Sequence, residues 1–134
     1  FMEHLRNKPV ENLIWVYPIA LAEVEAGLRM TATTDPQRRA RCRRFIEDEV
    51  AQFVHPIQIT TRESYALIME RIWRVHPPAI GGDTQEHLSS LNVQINDVWI
   101  AAVALERGLI LLTHDGMVVI RECAPELNFE DWLE

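Results

Sequence analysis

Eight consecutive apolar residues, Val98 to Leu105, constrain this chain more than any other feature. Asn96-Asp97 precedes the run and Gly108 follows it, so the spacing predicts a helix with an acid at its start and a glycine terminator. A helix that is apolar on every face must be enclosed by other elements. Its N-terminal end, with Asp97, then points into the interior or a cleft. The run is far shorter than the roughly 20 residues needed to span a bilayer, and the other long apolar stretch, Leu13 to Ala22, is broken by Pro18. Neither is read as a membrane segment.

Leu109 to Thr113 follows the glycine directly and has the composition of a strand buried on both faces. Upstream, Leu13 to Tyr17 reads as a strand and Ile19 to Met30 as a helix. Asp35-Pro36 starts a second helix from Gln37 to Val50, and Phe53 to Ile59 reads as another strand. Thr60 and Glu63 have capping-box spacing, opening a helix that ends before Pro77-Pro78. Pro77 to Asp83 is an exposed loop, and Thr84 to Val93 fits no single pattern. Alternating strands and helices predict an α/β fold with a mainly parallel central sheet covered on both faces, and 134 residues without a linker predict one domain over 1–134.

A net charge of -7 excludes general electrostatic adhesion to nucleic acid or anionic membrane. Cys42 and Cys123 have no C-x-x-C spacing, and no secretory leader is recognisable, which predicts a reduced, cytoplasmic protein. The five histidines lack zinc-site spacing, and there is no Gly-rich phosphate loop. Trp73, Trp99 and Trp132 are expected in the core or at an interface.

In α/β folds ligands bind beyond the carboxyl ends of the strands. Asp115 follows the Leu109 to Thr113 run, and Asp97 opens the enclosed helix; alone, each reads first as a turn or cap residue. Glu23 lies on the helical wheel among Ile19, Ala20, Ala26, Gly27 and Met30, a poor setting for a solvated carboxylate, whereas Glu25 is expected to face solvent. Arg38, Arg39, Arg41, Arg43 and Arg44 form the basic cluster, read either as phosphate contacts or as a solvated face paired with Glu47, Asp48 and Glu49.

Three segments together carry a resemblance. Ile19-Ala20-Leu21-Ala22-Glu23-Val24-Glu25-Ala26-Gly27, Asn96 through Gly108, and Leu109 through Asp115 resemble motifs of PIN-domain ribonucleases, in particular the VapC toxins of toxin-antitoxin pairs. The resemblance implies a three-layer α/β/α domain that hydrolyses RNA with water activated by Mg²⁺ or Mn²⁺ in an acidic cluster. Glu23, Asp97 and Asp115 match three catalytic, metal-binding acids, and Asn96 and Thr113 match neighbours that orient them. Arg38, Arg41 and His114 are weaker candidates for substrate contact. A homodimer and a cognate antitoxin protein are further implied partners.

The chain departs from the family pattern at two places. The family's first strand, carrying the first acid, has no counterpart, and Phe1 to Arg6 is similar to the helix that follows it. The expectation is that roughly ten natural residues precede this sequence; the alternative to the enzyme is a catalytically inactive PIN fold serving as a protein-binding or RNA-binding module. Gly116-Met117-Val118-Val119 also replaces a further acidic motif, leaving Glu122 as a weak substitute.

Overall fold

The structure, a computed structural model, describes residues 15–30, 35–79 and 81–132. The expectations about Phe1 to Arg6 and about Leu13 and Ile14 fall outside them. The chain divides into two compact units, one containing the described residues up to Ile57 and the other beginning at Gln58. The fold is mixed α/β and mostly helical: 64% of the described residues are helical, beside a small parallel sheet of two strands. Among the described residues no single helix is long and apolar enough to cross a membrane.

In the first unit, helix α1 (Pro18–Met30) is followed by α2 (Pro36–Phe45), a π-helical turn (Ile46–Val50) and a 3-10 turn (Ala51–Phe53). Asp35 caps α2 as its sequence suggests, its carboxylate accepting the Arg38 N–H at 2.8 Å with Pro36 in the first turn. The expected continuous helix to Val50 instead loosens after Phe45. The two strands expected here, Leu13 to Tyr17 and Phe53 to Ile59, contract among the described residues to one parallel bridge, Val16 to Val54. Its hydrogen bonds, Val16 N–H to the Phe53 carbonyl and His55 N–H to the Val16 carbonyl, are each 2.9 Å long. Trp15 stacks on His55 beside them. The 3-10 turn occupies Phe53 itself, and a turn at Ile59 and Thr60 ends the extended stretch.

The second unit is built around α5 (Ile95–Arg107), whose Val98, Ala101, Ala102, Val103 and Ala104 are buried as the sequence requires. Helix α3 (Thr61–Val75) lies along it and buries Ile68 and Ile72, one turn apart, while Tyr65 stacks on Trp99. The alanines let neighbouring backbones come close, and Leu88 of α4 (Thr84–Ser90) enters the same core. Asp83 caps α4, accepting the Gln85 N–H at 2.6 Å, which resolves the segment that had no clear pattern.

The capping box at Thr60 does not form. Thr60 takes a helical conformation and its side chain caps nothing. Its hydroxyl donates to the Glu106 carboxylate, as does the Thr61 hydroxyl at 2.6 Å, so Glu106 ties the start of α3 to the end of α5. These two donors hold the Glu106 carboxyl below its ordinary range.

Gly108 ends α5 in the left-handed region at φ 62°, and the Leu109 N–H donates to the Ala104 carbonyl at 2.9 Å. Strand β1 (Ile110–Leu112) then pairs in parallel with β2 (Asn128–Glu130), with Leu111 opposite Phe129. Parallel neighbours need a crossover, and α6 (Val118–Cys123) supplies it. Arg71 of α3 holds the far side of this crossover through Glu126, at 2.6 Å. Cys123 is buried under it, and burial pushes its thiol pKa up, which marks a core residue.

Burial of β1 differs from the expectation. Leu111 is 5% exposed, but Ile110 and Leu112 are 53% and 40% exposed, so the strand alternates where its all-apolar sequence predicted cover on both faces.

Two outcomes follow from this packing. Ala102→Leu, which inserts three carbons beside α5, should lower unfolding free energy by about 1–3 kcal/mol in a denaturant titration. Because Glu106 has a lowered folded pKa, its clasp stabilises the fold above the ordinary glutamate range and is lost as pH falls through the lowered value. Thr61→Val, which removes one donor, should therefore lower Tm above about pH 5 and flatten its acid limb, the difference from the unaltered protein narrowing as pH falls.

Candidate functional site

Asn96 and Asp97 lie in the first turn of α5, one residue further into the helix than their sequence suggests, because the helix begins at Ile95 with Gln94 as its cap. Both are half-buried. The Asp97 N–H donates to the Gln94 carbonyl at 3.1 Å, so the backbone of the helix start is engaged without a side-chain cap from Gln94. A carboxylate in a first turn is favoured by the helix dipole, and the burial of Val98, the next residue, fixes where Asp97 stands.

Asp115 occupies the turn after β1 and is exposed. Its own N–H donates to the Thr113 hydroxyl at 3.0 Å, and its Oδ1 accepts the Met117 N–H at 3.1 Å. Thr113 thus positions the backbone of Asp115, where the sequence resemblance implied that it orients the carboxylate. The turn that Asp115 organises also carries Met117 into a left-handed conformation at φ 39°, unusual for a residue with a Cβ.

Because α5 ends in the tight turn at Gly108 and β1 packs on it, the strand runs back toward the end where the helix began. Eleven residues of helix from Asp97 to Gly108 rise about 16 Å, and five extended residues from Gly108 to Thr113 also cover about 16 Å. Asp97 and the rim that carries Asp115 therefore stand at the same end of this unit.

The parallel register adds acids that the sequence reading missed. Leu112 pairs with Glu130, and the Thr113 N–H donates to the Glu130 carbonyl at 3.1 Å, which brings Asp131 beside His114. His114 Nδ1 and Asp131 Oδ2 are 2.7 Å apart. Asn128-Phe129-Glu130 is too short and too mixed to be recognised as a strand by periodicity, so nothing in the sequence placed Asp131 at this rim. Glu122, the weak substitute ligand, is engaged elsewhere, 2.9 Å from His76.

Glu23 and Glu25 exchange the roles expected of them. Glu23 is exposed on α1 in the first unit, a helix that buries no residue among those described. Glu25 is half-buried and accepts from Arg29 at 3.0 Å and from Arg43 of α2 at 2.9 Å. The Arg29 hydrogen bond, with help from Arg43, holds its carboxyl below the usual range. The basic cluster is thus linked among the described residues through Glu25, in place of the expected Glu47, Asp48 and Glu49. Arg38 and Arg41 are exposed on α2.

Among the described residues no group of three or more His, Cys, Asp or Glu side chains is arranged to hold a metal ion. No protein-family model matches the chain, and neither the curated proteins nor the solved structures compared with it contain a match.

The Asp115 turn separates its structural from any chemical role. Asp115→Asn keeps an oxygen for the Met117 N–H and should leave thermal stability nearly unchanged, whereas Asp115→Ala should cost about 1 kcal/mol. Melting curves of the two variants check this.

Proposed function

We propose that the chain is a PIN-like, metal-dependent endoribonuclease of the VapC toxin type, a three-layer α/β/α domain acting in the cytoplasm as a homodimer controlled by a cognate antitoxin. The observation that supports this reading is that the rise of α5 and the return of β1 put Asp97 and the Asp115 rim toward the same end of the second unit, Asp115 lying beyond the carboxyl end of a parallel strand. Glu23 enters the proposal on its sequence motif alone.

The donor chemistry fits Mg²⁺ or Mn²⁺, since carboxylate oxygens are hard ligands and Mg²⁺ is commonly held by one or two carboxylates with the remaining positions filled by water and substrate phosphate. Asp97 and Asp115 are the residues that would hold it, so a group of three protein donors is not required. When bound, such an ion supplies Lewis acidity, lowering the pKa of water and offsetting phosphate charge. The protein's part is positional. The buried stretch behind Asp97 and the hydrogen-bonded turn at Asp115 hold the two carboxylates, and the first turn of α5 favours the negative charge of Asp97.

The missing three-donor group among the described residues favours one alternative, a PIN-like module that binds RNA or protein without cutting. Metal titration separates the two, because tight Mn²⁺ binding belongs to the enzyme. For the enzyme, Asp97→Asn in the full-length protein should lower Mg²⁺-dependent RNA cleavage at least a hundredfold with an unchanged circular dichroism spectrum. Undiminished cleavage would refute the assignment.

A further inference from the structure

Beside the first turn of α5 the second unit holds an open cleft of about 260 Å³. Its floor is Leu88 of α4 and Val93, both buried, and its polar lining is Gln85 and Ser89 of α4 with Gln94 and Asn96 from the segment that enters α5. None of the lining side chains is ionisable. Gln94 is the informative residue. It occupies the cap position of α5, where Ser, Thr, Asp or Asn is preferred, yet its side chain makes no capping hydrogen bond and lines the cleft.

We propose that this cleft binds one unpaired nucleobase of an RNA, with the Gln85, Ser89 and Gln94 side chains reading the base edge above the apolar floor of Leu88 and Val93. The inference rests on the ribonuclease reading and adds to it the subsite that selects sequence. Four features point to a base. Single-stranded RNA is recognised through splayed-out bases that pack flat on apolar or aromatic surface and are read along their hydrogen-bonding edges. Gln and Asn amides present a donor and an acceptor side by side, matching adenine in particular. The neutral lining neither attracts a phosphate nor repels a base, in contrast with the acids nearby. Finally, Gln94 and Asn96 flank the helix start that carries Asp97, so an occupant of the cleft is continuous with the proposed cleavage site.

Two measurements test the proposal. The side-chain amide signals of Gln85 and Gln94 are followed by NMR, without metal, during titration with each of the four nucleoside 5′-monophosphates. Shifts of these signals that rank the four bases, with the largest response for adenine, are expected. Absence of shifts with all four overturns the proposal whatever the cleavage assay shows, and concentration-dependent shifts without nucleotide, the mark of a second copy or a peptide in the cleft, overturn it as well. Cleavage-site mapping on a random-sequence RNA is the second measurement. The double variant Gln85→Ala with Gln94→Ala should lose about tenfold in kcat/KM at preferred sites and flatten the base preference. An unchanged preference with cleavage intact overturns the cleft alone and leaves the nuclease, whereas ranked shifts without metal-dependent cleavage by the unaltered protein overturn the nuclease and leave the cleft as a base-binding site.

Discussion

The enclosure of α5 is the constraint on which the second unit depends. Burying Val98 and Val103 contributes about 1.5–3 kcal/mol each, and the intervening alanines let α3 and the strand approach the helix axis closely. A helix held in this way cannot rotate without exposing apolar surface at every position. Its first turn is accordingly as fixed as its middle, and Asp97 inherits a defined position from residues that have no chemistry of their own. Gly108 transmits the same constraint forward, because only a sharp left-handed turn lets β1 return along the helix and bring the Asp115 rim to its starting end.

The two acids reach that end by different means. Asp97 is carried by the first turn of a packed helix, whereas Asp115 builds its own platform, with one oxygen accepting the Met117 N–H and its amide held by Thr113. A carboxylate has two oxygens, so the turn role and a role toward a cation are compatible within one side chain. The familiar structural explanation of a turn aspartate is therefore correct here and does not exclude the chemical one.

The enclosed helix, its glycine terminator, the Asp35 cap and the parallel strand after α5 were legible because each is fixed by local pattern. What was not legible depended on partners distant in sequence. Thr60 satisfies every local rule for a capping box, yet Glu106, 46 residues away, draws its hydroxyl off. Glu25 looked solvent-facing on a helical wheel because the wheel contains no Arg43. The apolar run of β1 suggested cover on both faces, but a strand's composition cannot report what packs on it, and Ile110 and Leu112 are exposed. Asp131 was invisible for a related reason: its place is created by register with β1, and β2 has too few residues to announce itself.

An acidic protein faces a difficulty in handling RNA, since a net charge of -7 repels the phosphate backbone at long range. The exposed arginines of α2 belong to the first unit, where Arg43 pairs with Glu25. Within the proposed reading the difficulty divides into two separate tasks. Phosphate charge is offset by a cation that the carboxylates attract, so the acids become useful because they are negative. Base identity is read where charge is absent, by amides over an apolar floor. Within that reading, a neutral cleft lined by Asn96, the residue before Asp97, puts the two tasks beside each other at the start of α5.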